Sequence, residues 1–230
     1  MINPPSQTWL ANWNNQPSAE WTNGDVVGSA RGRGNGSFHR AAFLNSLVRG
    51  FAKKPSIERL EDVIERAGTI APQRPLAKGR LKAALKGSSG NSRKVLQALL
   101  DWDGSYHRTA ADGTVDPGHA IWEEFKAQTV RRVLVNFKDR PKELIGQVAS
   151  YHLFDFTNGA SYGFRKRTPE QYRVAARDTF DALAKRFGTD DVTKWREPRT
   201  NVTWTLQGAG APPAMPFFER GTWEQLVELR

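Results

Sequence analysis

The residues best suited to chemistry in this sequence lie near its start, at Asn12, Trp13, Asn14 and Asn15. Residues 8–13 predict a strand, and side chains alternate between the two faces of a strand, so Asn12 and Asn14 would share one face and Trp13 would take the other. A buried amide needs hydrogen-bond partners, because leaving one unsatisfied costs on the order of 1–3 kcal/mol. Such asparagines serve either as turn residues or as preorganised donors to a developing oxyanion.

Other sources of chemistry are sparse. The chain has no cysteine, which excludes disulfides, thiolate nucleophiles and cysteine metal sites. No second histidine lies at metal-ligand spacing from any of the four histidines, so no histidine metal site is expected; they are His39, His107, His119 and His152. Asp101 and Asp103 are expected to end a helix and form a turn.

The charge of the chain is unevenly distributed. The 230 residues carry a net charge of +10, while residues 31–94 contain 15 Lys or Arg and 4 Asp or Glu, a net charge of +11. This segment could be a phosphate-binding face, a set of solvated helix faces, or a surface for an acidic partner. Its aromatic residues Phe38, Phe43 and Phe51 lie at helical spacing among leucines, which predicts core positions and not a base-stacking surface. No apolar run approaches the ~20 residues that a membrane span needs.

The elements that must position these residues are mostly helices. Capping residues and apolar periodicity predict helices after Ser37 and Ser56, at 76–86, 92–102 and 120–137, and from Thr168 to Phe187 with an end at Gly188. The glycine-rich loop 29–37 lacks the spacing of a nucleotide-binding loop. Residues 85–92 are expected to be a flexible connector and 211–216 a loop. Strands are predicted only at 8–13 and 201–206, and two strands need partner strands to form a stable sheet.

Several of these segments resemble one family. INPPSQTWLANWNNQP, residues 2–17, resembles the beta-chain segment of the penicillin acylase (penicillin amidase) family of N-terminal-nucleophile hydrolases. LLDWDG at 99–104 and DPGHAIWEEF at 116–125 are similar to its W-D-G segment and the helix that follows. Residues 178–198 resemble its late helix and W-x-x-P turn, and MPFFERGTWEQLVEL at 215–229 resembles its N-R-G-T ending, with Glu219 in place of the usual Asn. The segments occur in the order of the family.

The resemblance implies a fold and an activity. The fold class would be α+β: a mostly helical fragment with terminal strands that belong to the αββα core of an N-terminal-nucleophile hydrolase. Residues 1–230 would be a single partial domain, with an active-site strand and loop at 1–36, a helical region at 37–188 and a strand and terminal segment at 189–230. The activity would be hydrolysis of a carbon–nitrogen bond other than a peptide bond, in a linear acyl amide such as a penicillin or an N-acyl homoserine lactone.

The resemblance also implies roles for individual residues. In the family, an N-terminal Ser is the nucleophile and its α-amino group is the base, which suits an ordinary amine pKa of ~7.7–8.0. The family's oxyanion-stabilising Asn matches Asn14, and its helix-starting Arg near the active site matches Arg40, with Arg31 or Arg33 as alternatives. A calcium-binding Asp matches Asp25, which implies a structural calcium and no cofactor for the chemistry.

The start of the chain departs from the family. Neither Met1 nor Ile2 can be the nucleophile, so the chain is expected to be an interior fragment that is inactive alone. Its expected partners are an acyl amide substrate, an alpha chain and the remaining beta-chain segments, with no membrane and without nucleic acid. The family implies a periplasmic or extracellular location, although the N-terminus has no signal peptide pattern. The alternative is a basic helical interaction module that binds nucleic acid or an acidic partner chain.

Overall fold

The architecture comes from a computed structural model that describes residues 38–49, 51, 55–106, 110–133, 168–199, 201–202 and 215–216. Six α-helices are described, namely α1 (Phe38–Val48), α2 (Ile57–Thr69), α3 (Arg74–Leu85), α4 (Gly90–Asp101), α5 (Pro117–Val133) and α6 (Pro169–Phe187). A 3-10 helix, Val192–Lys194, follows α6, and strand β1 (Asn201–Val202) pairs antiparallel with β2 (Met215–Pro216). Among the described helices, none combines the length and the apolar character required to cross a bilayer.

Helix α6 is the centre of the packing, because it contacts α3, α4 and α5. Its apolar residues recur at three- and four-residue intervals, so that they form one face: Tyr172, Ala176, Phe180 and Leu183 are all buried. The opposing helices contribute their own fully buried side chains to the same core, including Leu81, Leu96, Leu99, Ile121, Trp122 and Phe125. Burial of each large apolar side chain contributes roughly 1.5–3 kcal/mol, so this face supplies much of the stability of the described helices.

A chain of aromatic rings crosses the core. Tyr106, Trp102, Trp122, Phe125 and Tyr172 follow one another with ring centroids 6.1, 6.2, 6.4 and 6.4 Å apart. These separations and tilted or offset geometries are those that aromatic quadrupoles favour. The rings belong to the loop after α4, to α5 and to α6, so they join elements that are distant in sequence.

The helix ends follow the predicted caps. The Ser56 hydroxyl accepts a hydrogen bond from the Arg59 N–H at 3.4 Å at the start of α2. At the start of α6, Thr168 and Gln171 form a reciprocal capping box, with the Thr168 N–H donating to Gln171 Oε1 at 2.8 Å. Helix α6 ends at Gly188, whose φ of +68° is the left-handed conformation that glycine adopts without a steric penalty.

A buried arginine joins α3 to the end of α4. Arg74 is buried, and its Nη2 donates to the carbonyl oxygens of Leu100 at 3.0 Å and Trp102 at 2.8 Å. These carbonyls lie at the C-terminus of α4, where helix backbone groups lack partners within the helix. Desolvation lowers the pKa of Arg74, while the charge of Asp103 opposes that change. The contact places the start of α3 beside the end of α4, so the two helices run in opposite directions.

Several predicted boundaries differ from the structure. Helices α3 and α4 each begin two residues before the predicted starts at 76 and 92, and the predicted flexible connector 85–92 is reduced to 86–89 because α4 already begins at Gly90. Helix α5 begins at Pro117, before the predicted start at 120, because Asp116 caps it. Met215–Pro216 forms a strand within the predicted loop 211–216, since its backbone pairs with β1. Of the predicted strand 201–206 only the first two residues are described, and the predicted strand 8–13 lies outside the described residues.

Two glycines in helices provide a test of this packing. A Cβ at Gly118 would lie 2.2 Å from Cγ of Trp102, whereas a Cβ at Gly79 would have no neighbour within 4 Å. We expect Gly118→Ala to lower the free energy of unfolding by about 1–3 kcal/mol or more, because the indole ring cannot move out of the core. We expect Gly79→Ala to raise it by about 0.5–1 kcal/mol, since alanine is the better helix former. Urea denaturation followed by circular dichroism measures both, and equal effects of the two substitutions would contradict the close contact at Gly118.

Candidate functional site

A groove of about 510 Å³ lies where α4, the start of α5 and the 3-10 helix meet. We call it the α4–α5 groove, and its lining residues are Lys94, Gln97, Ala98, Asp101, Trp102, Asp116, Pro117, Gly118, Val192, Thr193 and Arg196. The α4 residues at 94, 97, 98 and 101 recur at helical spacing, so they share one face. A volume of this size lies within the range of small-molecule sites.

The α4 wall of the groove is polar. Gln97 Nε2 donates to Asp101 Oδ1 at 2.9 Å, which orients the carboxylate along the helix. The Lys94 ammonium lies 5.3 Å from the centroid of the Phe180 ring, within the range of a cation–π contact. Trp102, at the C-cap of α4, is buried beneath these side chains.

The opposite wall consists of two capped helix starts. Asp116 Oδ1 accepts from the Gly118 N–H at 2.7 Å at the start of α5. Asp191 Oδ1 accepts from the Thr193 N–H at 3.0 Å and from the Thr193 hydroxyl at 2.7 Å at the start of the 3-10 helix. The hydrogen bond from the Thr193 hydroxyl lowers the pKa of the Asp191 carboxyl most strongly, and the bond from the Thr193 N–H lowers it further. The carboxylate therefore acts as a helix cap and not as a proton acceptor.

The charges around the groove are mixed, with Lys94 and Arg196 beside Asp101 and Asp116. Its lining contains neither histidine nor serine, and its threonine hydroxyl is already engaged by a cap. Across the described ranges, no cluster of three or more His, Asp or Glu side chains could hold a metal ion. The α4–α5 groove is therefore suited to binding, and it lacks the paired groups that nucleophilic catalysis needs.

A second charged cluster lies beyond the start of α5. Glu197 is mostly buried, and its carboxylate lies 3.3 Å from His119 Nδ1 and 2.5 Å from Arg186 Nη2. The His119 ring packs edge-on against the Tyr106 ring at 5.2 Å. The backbone of Glu197 also takes part, since its carbonyl accepts from the Val115 N–H at 2.9 Å. This cluster ties the start of α5 and the end of α6 to the segment after the 3-10 helix.

The electrostatics of Glu197 follow from its neighbours. The adjacent His119 Nδ1 lowers the pKa of the Glu197 carboxyl most strongly, burial partly opposes this, and the charge of Arg186 lowers the pKa further. The sequence offered no signal for the cluster, because the three side chains are far apart in the chain and meet only through packing. Its role is structural, since it lies outside the groove and joins three segments.

The residues predicted to act in catalysis are not brought together in the described structure. Asn14 and Asp25 lie outside the described residues, as do Arg31 and Arg33. Arg40 is the third residue of α1, and only its backbone is described. Their roles stay predictions.

Other predicted motifs are described. Asp103 Oδ1 accepts from the Ser105 N–H at 2.8 Å, which confirms the expected turn after Asp101, the last residue of α4. In the W-x-x-P segment, Trp195 is buried against Phe180 with ring centroids 5.2 Å apart, and its Nε1 donates to the Thr189 carbonyl at 2.8 Å. Both segments support the core and the walls of the groove.

Comparison with known proteins identifies the class. The sequence model of the penicillin amidase family matches residues 1–225, so the chain belongs to this family of hydrolases. The fold is similar to that of a thermostable penicillin G acylase from Alcaligenes faecalis, solved in an orthorhombic crystal form, with a TM-score of 0.71 and 17% identity. That match covers 96% of this chain and 45% of the acylase chain, so the chain spans less than half the length of the acylase chain that it matches. The resemblance to the penicillin acylase family is thereby confirmed, and the described part is mostly helical as predicted.

The Glu197 cluster predicts a pH dependence of stability. A carboxyl whose folded pKa lies below its unfolded value of about 4.5 stabilises the fold above that value, and this stabilisation is lost as the pH falls through the folded pKa. We expect Glu197→Gln to lower the Tm at neutral pH by about 2–4 °C and to flatten the decline of Tm below about pH 4.5. Thermal melts between pH 3 and pH 7 measure both effects.

The control for this experiment is Glu170→Gln, which removes an exposed carboxylate that pairs with Arg173 within α6. Because exposed pairs contribute little, its melting curve should follow that of the unsubstituted chain. If the Tm of Glu197→Gln fell with decreasing pH as steeply as that of the unsubstituted chain, Glu197 would not couple folding to pH.

Proposed function

We propose that this chain contributes an oxyanion-stabilising asparagine, Asn14, to a hydrolase that cleaves linear acyl amides. The observation that supports the proposal is the match of the penicillin amidase family to residues 1–225, because this span includes Asn12–Trp13–Asn14–Asn15, the segment that resembles the family's active-site motif. The proposed substrates are penicillins, N-acyl homoserine lactones or related acyl amides.

The proposed reaction is an acyl transfer in two steps. A serine Oγ, deprotonated by its own α-amino group, attacks the amide carbonyl, and the carbonyl oxygen becomes negatively charged in the tetrahedral intermediate. The Asn14 NH₂ group donates to this oxyanion, which stabilises charge that is absent from the ground-state amide. The C–N bond then breaks, the amine leaves with a proton, and water hydrolyses the acyl-serine ester. Asn12 and Asn15 are proposed either to support Asn14 or to satisfy the backbone of the predicted strand and turn.

The nucleophile in this proposal comes from sequence beyond the 230 residues. The chain covers 45% of the acylase chain that it matches. We therefore propose that the 230-residue chain acts together with an alpha chain and further beta-chain segments, in a periplasmic or extracellular setting, and that it has no turnover alone. Without its nucleophile, an oxyanion donor retains only a small part of the rate enhancement.

Two further residues have proposed roles. Arg40, at the start of α1, is the arginine proposed to lie near the substrate, with Arg31 and Arg33 as the alternatives. Asp25 is proposed as one calcium ligand. A single carboxylate does not make a calcium site, which takes six to eight oxygen ligands. The other ligands would come from further sequence, and no step of the proposed reaction depends on the ion.

The test uses the 230-residue chain and the longest reading frame that contains it. We expect a panel of chromogenic acyl anilides to be hydrolysed by the long product and not by the 230-residue chain. In the long product, Asn14→Ala should lower kcat by about 10²–10³-fold, the effect of removing one oxyanion donor. Asn91→Ala, which removes an exposed amide from the first turn of α4, is the control and should leave kcat unchanged.

Two results would contradict the proposal. Turnover by the 230-residue chain that is lost in Asn14→Ala would show that the chain carries its own nucleophile. A long product whose kcat is the same with and without Asn14→Ala would remove Asn14 from the oxyanion site.

A further inference from the structure

The exposed face of α3 carries a row of lysines. Lys78, Lys82 and Lys86 follow one another at four-residue intervals and are all exposed, while Ala77, Leu81 and Ala84 on the other side of the helix are buried in the core. We call these three residues the lysine face. The backbone of Lys86 keeps helical φ and ψ at the C-cap, so the row spans ~12 Å at a rise of 1.5 Å per residue.

The lysine face has no counter-charge nearby in the chain. No Asp or Glu occurs between Glu65 and Asp101, and residues 74–94 contain seven Lys or Arg. Within the described part of the chain, none of the three lysines forms an ion pair. Along α3 and the start of α4 the charge is therefore of one sign, which favours attraction of an oppositely charged partner. Glu170 lies beside the end of α3, where it is paired with Arg173, whose Nη1 donates to the Ala84 carbonyl.

Helix stability does not account for this pattern. Cations stabilise the C-terminus of a helix only within its last turn, which covers Lys82 and Lys86 but leaves Lys78 unexplained. The N-terminus of α4 lacks the usual stabilising groups of a helix start. Its first turn contains Arg93 and no acidic residue, and the Ser89 side chain makes no capping hydrogen bond. Since α3 and α4 run in opposite directions, this start adds positive charge near the Lys86 end of the lysine face.

The surface beside the lysines is open. Gly79 and Ala83 are exposed next to the row, and a Cβ at Gly79 would have no neighbour within 4 Å. Another helix could therefore approach the α3 backbone closely without displacing a large side chain. No aromatic residue occurs in α3 or α4 up to Asp101, so these helices offer no stacking platform for unpaired bases.

From these observations we propose that the lysine face of α3 is a docking site for an acidic helix of a partner protein. The partner carries carboxylates at four-residue intervals, because that spacing reproduces the ~6 Å separation of successive lysines along α3. Three ion pairs form along the row while the partner backbone lies over Gly79 and Ala83. This docking site does not depend on the amidase reaction and lies on a different helix from the proposed catalytic residues.

The test measures binding of the 230-residue chain to labelled peptides by fluorescence anisotropy. The probe is a helical peptide with glutamate at every fourth residue, and its control is a scrambled helical peptide of the same composition. We expect the periodic peptide to bind about tenfold more tightly than the scrambled one, the ratio that a few exposed ion pairs together produce. We expect the affinity to fall as salt is raised.

A matched pair of variants locates the binding site. Lys82→Glu reverses the charge at the middle of the lysine face, and Lys185→Glu makes the same change on the exposed side of α6. We expect Lys82→Glu to lower the affinity for the periodic peptide roughly five- to tenfold, and Lys185→Glu to change that affinity by less than about twofold. Circular dichroism of both variants shows that the fold is kept, because glutamate is also a good helix former.

Several outcomes would overturn the proposal. Equal affinity for the two peptides, or tighter binding of duplex DNA than of the periodic peptide, would make the surface a general polyanion site. Self-association that disappears in Lys82→Glu would assign the face to a second copy of this chain. Absence of peptide binding at low salt, or equal effects of the two variants, would show that the lysine face is only solvated.

Discussion

The contact between the indole ring of Trp102 and the bare backbone of Gly118 is the constraint on which the described structure depends. Because Gly118 has no side chain, the first turn of α5 lies directly against Trp102, the C-cap of α4. The backbone carbonyl of Trp102 accepts a hydrogen bond from the buried Arg74, and its ring packs between Tyr106 and Trp122. One residue thus sets the positions of α3, α4 and α5, and it also forms the floor of the α4–α5 groove.

Much of this helical scaffold could be predicted from local sequence. Helix α6 was predicted from its cap at Thr168 to its glycine end, because caps and apolar periodicity act within a few residues of one another. The start of α5 was missed, since its cap is an aspartate followed by proline and glycine, a sequence that local rules assign equally to a turn. The β1–β2 pair was missed in part for another reason: the pairing of Met215–Pro216 depends on a distant strand and not on its own composition.

The candidate sites also differ in whether local sequence could predict them. The turn role of Asp103 follows from local chemistry and was predicted. The Glu197 cluster and the α4–α5 groove exist only after folding, because their side chains come from separate segments, so sequence patterns could not reveal them. The assignment of Asn14 came from resemblance to a family. Its amide chemistry alone favoured a turn residue over an oxyanion donor, and the resemblance to the penicillin amidase family is what favours the donor.

The central position of α6 has a consequence for how the chain is made. Helices α3, α4 and α5 each expose an apolar face until α6 packs against them, and α6 is the last of these four helices to leave the ribosome. About a hundred residues separate the end of α3 from the end of α6, which corresponds to roughly 5–20 s of synthesis. During that interval the core lacks its central helix, so the apolar side chains that α6 covers in the folded chain remain accessible to solvent.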